Sequence, residues 1–276
     1  MFVISIGSTE AYPLSLYNGD SLMGSKMNRT DEDAGCVNGE SIQGKSMNNI
    51  CLNSLKLNGI ILAQVKRSGD TSQNEMIASP QIKSVQVLRT RFRAKREDGS
   101  WATDQELVGA LLVAVDAQGI EEVYRIDSIE KATYGNAGEI FLYTFSVKDP
   151  ASGSWINFCK PDVEGMQKGF PLSGYWDEKG YHIQSVDDYS ITCTGGVIGK
   201  CVKAGYVPWG RTSNGKSLWG YHQACTRMMR ADYCGNGKPH TRDGTKIELW
   251  DREGIQVDTL EPGLTFEAAW NEDGAV

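Results

Sequence analysis

The chain has 276 residues, 40% of them hydrophobic and 23% charged, with a formal net charge of −7. That length holds one large domain or two small ones with ample core. The acidic balance excludes non-specific binding to nucleic acid or to an anionic membrane, which needs clustered Lys and Arg. Glycine is abundant at 31 and is joined by 7 Trp and 11 Tyr, a mixture that favours a turn-rich β fold over a helical bundle.

In chain order, the opening MFVISIGSTEA lacks the basic and fully apolar regions of a signal peptide, so such a peptide is absent or incomplete in this chain. From Val37 an apolar residue recurs every fifth position, through Ile42, Met47, Leu52, Leu57 and Leu62, often followed by Asn-Gly or Gln-Gly. This period matches neither a helix nor a strand and resembles a pentapeptide-type repeat, in which short β-coil sides stack their apolar residues inward. A low-complexity linker is the competing reading. Residues 1–66 are therefore expected to form a short β-coil-like repeat or an extended N-terminal segment, and the polar residues 67–84 a linker.

Strand-like text follows at Val85–Lys95, Glu106–Val115, Glu122–Asp127 and Ile140–Val147, divided by Gly-containing turns. The basic run Arg89–Arg96 alternates with other residues and reads as a solvated strand face. The apolar Leu107–Val115 is far shorter than the ~20 residues of a membrane-spanning helix, so no transmembrane segment is expected. Further strands are expected around Pro171–Trp176, Tyr181–Val186 and Tyr189–Cys193, with Thr245–Trp250 and Ile255–Thr259 as a closing hairpin. Val197–Lys203, ending at Gly205, reads as a short helix with a glycine cap. Ser217–Tyr233 reads as a longer helix, capped by Ser213 or Ser217 and ended by Gly235. The fold class predicted is α+β: a mainly antiparallel sandwich or barrel with two helices in the C-terminal half. The domain spans residues 85–276, with a β-rich half at 85–160 and a cysteine-bearing half at 161–276.

The cysteines are Cys36, Cys51, Cys159, Cys193, Cys201, Cys225 and Cys234, and no two form a CxxC pair. Zinc-ribbon and thioredoxin-like readings are thereby removed, and dispersed cysteines point to an oxidising compartment. In a single helix Cys225 and Cys234 lie about 13.5 Å apart in rise and half a turn out of phase. A disulfide needs Cα atoms within roughly 7 Å, so each must reach elsewhere or stay free. Cys193, Cys201, Cys225 and Cys234 are the candidate structural disulfide residues, with connectivity open. The odd total leaves at least one thiol unpaired within the chain.

The same helix supports a sharper alternative. His222, Cys225, Met229 and Asp232 share one stripe, and a Cys/His pair with an acid is the residue set for thiolate catalysis. His222, Cys225 and Asp232 are thus the candidate catalytic residues of a hydrolase or transferase built on Gly220–Thr241. The structural alternative has Leu218, Tyr221, Cys225 and Met228 packing inward. Trp209, Trp219 and Tyr221 are candidates for an aromatic shelf that binds sugar or peptide, or else core aromatics. Arg227 and Arg230 read as ion-pair partners or as an anion-binding pair, and Arg230 joins the ligand-binding candidates. His182 and His240 read as hydrogen-bonding or exposed side chains. The motifs GxSxG, GxxxxGK[ST], HExxH and a strand-borne GxGxxG are absent, and no cofactor or metal is assigned.

Ala231-Asp-Tyr-Cys234, followed by Gly-Asn-Gly and by His240-Thr-Arg-Asp-Gly-Thr245, resembles the bacterial ADYC-domain family. The likeness extends to Gly199-Lys-Cys-Val202, Gly205-Tyr-Val-Pro-Trp209 and His222-Gln-Ala-Cys225 and covers residues 85–276. It implies an extracytoplasmic protein with structural cysteines. The family has no established activity, so the resemblance assigns no catalytic residue. Members continue past the position of Val276 to a further cysteine, which would account for the odd total. The expected function is an exported, disulfide-stabilised binding or structural module whose ligand is a protein, peptide or carbohydrate.

Overall fold

The computed structural model describes residues 2–7, 55–61, 82–115, 121–133, 140–149, 151–162, 164–177, 179–186, 188–240, 247–260 and 262–276. Most of the pentad tract, including Cys36 and Cys51, and the greater part of the expected linker lie outside them.

The strands are β1 (Phe2–Gly7), β2 (Leu55–Ile61), β3 (Ile82–Leu88), β4 (Arg91–Arg96), β5 (Trp101–Thr103), β6 (Leu111–Val115), β7 (Glu121–Lys131) and β8 (Phe141–Lys148). They continue with β9 (Trp155–Asn157), β10 (Gly169–Ser173), β11 (Tyr175–Trp176), β12 (His182–Ile183) and β13 (Asp188–Cys193). After the helices α1 (Val197–Lys203) and α2 (Trp219–Arg230) come β14 (Ile247–Asp251), β15 (Leu264–Asn271) and β16 (Gly274–Ala275).

The largest sheet has the order β10-β13-β2-β6-β7-β8-β9 and curls until Gly169 of β10 also pairs with Tyr143 of β8. Its neighbouring strands are antiparallel throughout. Tyr143 and Phe145 on β8, with Tyr189 on β13, meet the three-stranded sheet β3-β4-β5 through Phe92, which lies edge-on to Tyr143 at 5.7 Å and to Tyr189 at 5.4 Å. Alternation along β4 explains the docking. Phe92 and Ala94 are fully buried, whereas Arg91, Arg93 and Lys95 share the other face, where Arg93 and Lys95 cover the Trp101 ring. The chain is thus mainly antiparallel β, barrel-like in its large sheet, with two helices in its C-terminal half.

Several elements differ from their sequence reading. The single strand at Val85–Lys95 is a hairpin, because Arg89 turns the chain at φ 59° and the Oγ1 of buried Thr90 accepts the Phe141 N–H at 2.8 Å. The strand expected over Glu106–Val115 begins only at Leu111, after a 3₁₀ turn over Asp104–Leu107. Ile255–Thr259 is no strand: the Asp251 carboxylate gathers the amides of Glu253 and Gln256, each at 2.8 Å, and folds the chain into a loop. The strand beside β14 is instead β1, so the four-stranded sheet reads β14-β1-β15-β16.

The described strands of the N-terminal segment, within the residues 1–66 expected as a separate unit, pair with later strands. β1 lies between β14 and β15, and β2 lies between β13 and β6. Both inserts come from residues 1–66, so the described parts of that segment belong to the sheets of the domain. The one pentad position within Leu55–Ile61, Leu57, lies on a ladder strand, since β2 pairs antiparallel with β6.

Candidate functional site

The Cys/His-rich segment is α2 and the loop after it. Helix α1, which packs against it, ends as the sequence predicts. Gly205 adopts φ 95°, its N–H reaches the Val202 carbonyl, and the Tyr206 N–H reaches the Cys201 carbonyl. This is a Schellman closure that needs a residue with positive φ. Helix α2 is shorter than expected. Ser217 Oγ accepts the Trp219 N–H at 3.2 Å, and the helix stops at Ala231, which takes φ 51°. The Ala231 and Asp232 amides return to the carbonyls of Met228 and Arg227, so alanine closes a motif that usually falls to glycine.

Helix α2 grips a different element with each face. On one side Cys225 is bonded to Cys201 of α1, with both residues fully buried. Tyr221, four residues earlier, donates its hydroxyl to Glu253 at 2.8 Å, and Lys216 donates to the same carboxylate at 2.7 Å. These hydrogen bonds, led by that of Lys216, hold the Glu253 carboxyl down to about 2. Beside it, Tyr206 donates to Asp251 at 2.7 Å, and burial together with that carboxylate drives the phenol far above its ordinary range.

The other side of α2 carries Trp219, Gln223 and Arg227 at successive steps of four, which places them in one row. All three hold the β11–β12 hairpin. The Trp219 ring stacks on His182 at 4.1 Å, and His182 stacks in turn on Trp176 at 3.8 Å, giving a Trp–His–Trp sandwich. The Gln223 amide accepts the His182 N–H at 2.8 Å and donates to the Gly180 carbonyl at 2.7 Å. Arg227 lies over the Tyr181 ring at 4.3 Å and donates to the Lys179 and Glu272 carbonyls and to the Asp232 carboxylate.

Two histidines are enclosed in this junction with ring centres 6.2 Å apart. His182 Nε2 lies 2.9 Å from the Ser173 carbonyl. His222 is fully buried and makes no well-formed ring hydrogen bond, with the Ile198 carbonyl the polar group turned toward it. Burial pushes His182 down to about 4. Burial first, and the neighbouring His182 second, push His222 down to about 3. Both rings are therefore neutral at neutral pH and serve as packing groups.

The tetrad that follows α2 divides its labour residue by residue. Ala231 ends the helix. Asp232 is fully buried and accepts from Arg227, from the Asn236 amide at 3.1 Å and from the Gly237 amide at 2.9 Å. Tyr233 packs on Trp270 at 5.2 Å and donates to Glu267; burial, then that carboxylate, push its hydroxyl up to about 12. Cys234 is exposed and free. At Gly235 an added Cβ would fall 1.7 Å from the Asp273 carbonyl, so only glycine lets the β15–β16 turn close over this loop.

The candidate residues are thus dispersed. Cys225 is consumed in a disulfide, His222 faces the Trp–His stack and Asp232 serves Arg227, so the three do not form a thiolate centre. Of the candidate disulfide residues, Cys193 pairs with Cys159, Cys201 with Cys225, and Cys234 with neither. Cys159 had no local signal, because its partner is brought near only when β13 folds back along β10. Trp219 and Tyr221 diverge by about 200° of helical phase, so they share no shelf. Trp209 packs half-buried against the core, and Arg230 is buried and donates to the Gly237 carbonyl, out of a ligand's reach. His240 is exposed, with Nδ1 3.0 Å from the Ala231 carbonyl. Gln223, Trp176 and Glu253, which organise the junction, carried no motif.

Among the described residues no group of three or more His, Cys, Asp or Glu is placed to hold a metal ion. No helix among them is long and apolar enough to cross a membrane. No curated protein and no solved structure matches the chain. The ADYC domain matches residues 104–276, from the 3₁₀ turn through both helices, both disulfides and the Ala-Asp-Tyr-Cys tetrad to the last strand. That is more than half of the sequence, and the chain belongs to the ADYC domain family.

Proposed function

We propose that this chain is an extracytoplasmic binding or structural module in which Gly220–Thr241 is a disulfide-anchored scaffold. The observation that carries the reading is the Cys201–Cys225 bridge, fully buried between α1 and α2. Buried bridges of this kind form and persist in oxidising compartments. The bridge removes the one thiol that stood beside a histidine in sequence. The Cys159–Cys193 bridge, closing a loop of sequence separation 34, supports the same reading.

Counting thiols tests it. Under denaturing, non-reducing conditions, which open every buried thiol to the reagent, alkylation is expected to label Cys234 and to leave Cys159, Cys193, Cys201 and Cys225 unlabelled, as read by peptide mass mapping. Rapid labelling of Cys225 at neutral pH would overturn the scaffold reading and restore the thiolate alternative. In a bacterial host, the chain directed to an oxidising compartment is expected to accumulate with both bridges formed, and the same chain kept in the cytoplasm to be reduced and less stable.

A further inference from the structure

We propose that the gap between β14 and β15 is a strand-acceptor site, and that the chain's own residues 2–7 occupy it as a separable ligand. The ligand class is an extended peptide of alternating apolar residues, such as Phe2-Val-Ile-Ser-Ile-Gly7, bound through both of its backbone edges. The inference deepens the binding-module reading and rests on it.

The topology carries the proposal. β1 is antiparallel to β14 along Phe2–Ile6 and antiparallel to β15 along Phe2–Gly7. β14 and β15 therefore run parallel to each other, one strand apart, with only residues 252–263 between them in sequence. Adjacent strands so connected ordinarily pair as an antiparallel hairpin, whereas a direct parallel pair needs a crossover connection. These two cannot close on each other by a sideways shift, because their directions are wrong for the short link. The sheet is built around a space one strand wide, two ladder steps of ~4.8 Å each between β14 and β15.

The strand that fills this space comes from the far end of the chain. The matched family domain, residues 104–276, contains β14 and β15 but not β1. The domain thus carries the walls and the N-terminal segment carries the filling. With β1 in place, Ile247 and Leu249 on β14 and Ala269 and Trp270 on β15 are buried, as are Glu248 and Asp251, which stand opposite Ser5 and Phe2 in the ladder. Recognition is of the β-augmentation kind, with main-chain hydrogen bonds on both sides supplying affinity and alternate side chains supplying specificity. An empty gap would expose two unpaired ladder edges, which favours retention of a strand.

The test uses the full chain with a protease recognition sequence inserted between Tyr17 and Asn18, where cutting frees β1 from the body without touching a cysteine. After cleavage the N-terminal fragment is expected to co-elute with the body in size exclusion. An excess of a fluorescent peptide spanning Met1–Thr9 is expected to displace it and to bind saturably by anisotropy. The same peptide carrying Ile4→Pro, which loses a ladder N–H, is expected to bind at least about ten-fold more weakly. Release of the fragment with no change in the thermal melt and no peptide binding overturns the proposal, as does a fragment that excess peptide never displaces. A concentration-dependent dimer of the uncut chain that Ile4→Pro abolishes would put a second copy's strand in the gap and overturn the in-cis occupant. Thiol labelling of the same cleaved sample separates the two readings. Failed peptide binding with the labelling pattern intact rejects the strand site alone, and labelling at Cys225 rejects the scaffold.

Discussion

Arg227 and Asp232, five residues apart across the end of α2, form an ion pair whose side chains are 1% and 0% exposed. The Ala231 turn reverses the chain between them, so the acid of the family tetrad comes back onto the helix that precedes it. Around this pair converge the β11–β12 hairpin, through Lys179 and Tyr181, and the β15–β16 turn, through Glu272. Removing one partner of a buried pair leaves a charge with nowhere to go.

Asp232→Ala and Arg227→Ala are each expected to destabilise the fold by about 3–5 kcal/mol, measured by urea unfolding. The double variant is expected to cost far less than the sum, because the second truncation removes the stranded charge. Additive losses in that cycle would mean that the pair is not coupled.

Ala231→Gly is expected to stabilise the protein by about 0.5–1 kcal/mol, since glycine occupies the left-handed region without the Cβ clash. Ala231→Val is expected to destabilise it, being β-branched at the same φ. Thermal melts of the two variants, moving in opposite directions, check this.

Loss of the Cys201–Cys225 bridge in a Cys201→Ala/Cys225→Ala variant is expected to cost about 3–4 kcal/mol, from the chain freedom that a closed loop of this length denies the unfolded state. Cys234→Ser, at an exposed and free position, is expected to shift stability by less than about 0.5 kcal/mol. A large effect of Cys234→Ser in chemical denaturation would place that thiol in the fold's cohesion.

Stability is expected to fall as pH drops below the ordinary histidine value of 6.5. His182 and His222 stay neutral in the fold down to about 4 and about 3, while the unfolded chain takes up protons from 6.5 downward. The unfolded state therefore gains, by about 1.4 kcal/mol per pH unit for each histidine, until the folded values are reached. The Asp162 carboxyl, held low against the cost of its burial by the Met166 amide and Lys203, and the Glu253 carboxyl, held down to about 2 by Lys216 and Tyr221, add losses below their ordinary 3.8 and 4.5, so the interval above pH 4.5 is the one that reads the histidines. Urea midpoints from pH 7 to 4.5 check the sign, and His222→Leu is expected to flatten that slope by about half.

Deleting residues 1–66 is expected to abolish a single cooperative melt, because it removes one strand from inside each of the two larger sheets. A truncated chain that melts as sharply as the full one would show that β1 and β2 are dispensable.

Much of the architecture was legible in the chain. Helix α1 and its Gly205 closure could be read to the residue, because a Schellman end is local and glycine announces it. The alternation of Arg91, Phe92, Arg93, Ala94 and Lys95 gave the two faces of β4 directly. The end of α2 was placed too late, at Gly235 rather than Ala231, since an alanine at positive φ has no propensity signature and is held there by tertiary contacts. The junction around α2 was legible only as a row of residue types. Trp219, Gln223 and Arg227 are spaced for one face, but nothing local says that the face meets β11–β12.

The sequence by itself determined the antiparallel β class and the two C-terminal helices, since these follow from local periodicity and composition, and its Ala231-Asp-Tyr-Cys234 motif carried the resemblance to the family. The tertiary structure decided which cysteines meet, that Asp232 serves Arg227 rather than a catalytic histidine, and that the first strand fills a gap between β14 and β15. Those outcomes depend on contacts between segments far apart in the chain, where the free energy of burial and of completed hydrogen-bond ladders overrides anything a local window encodes.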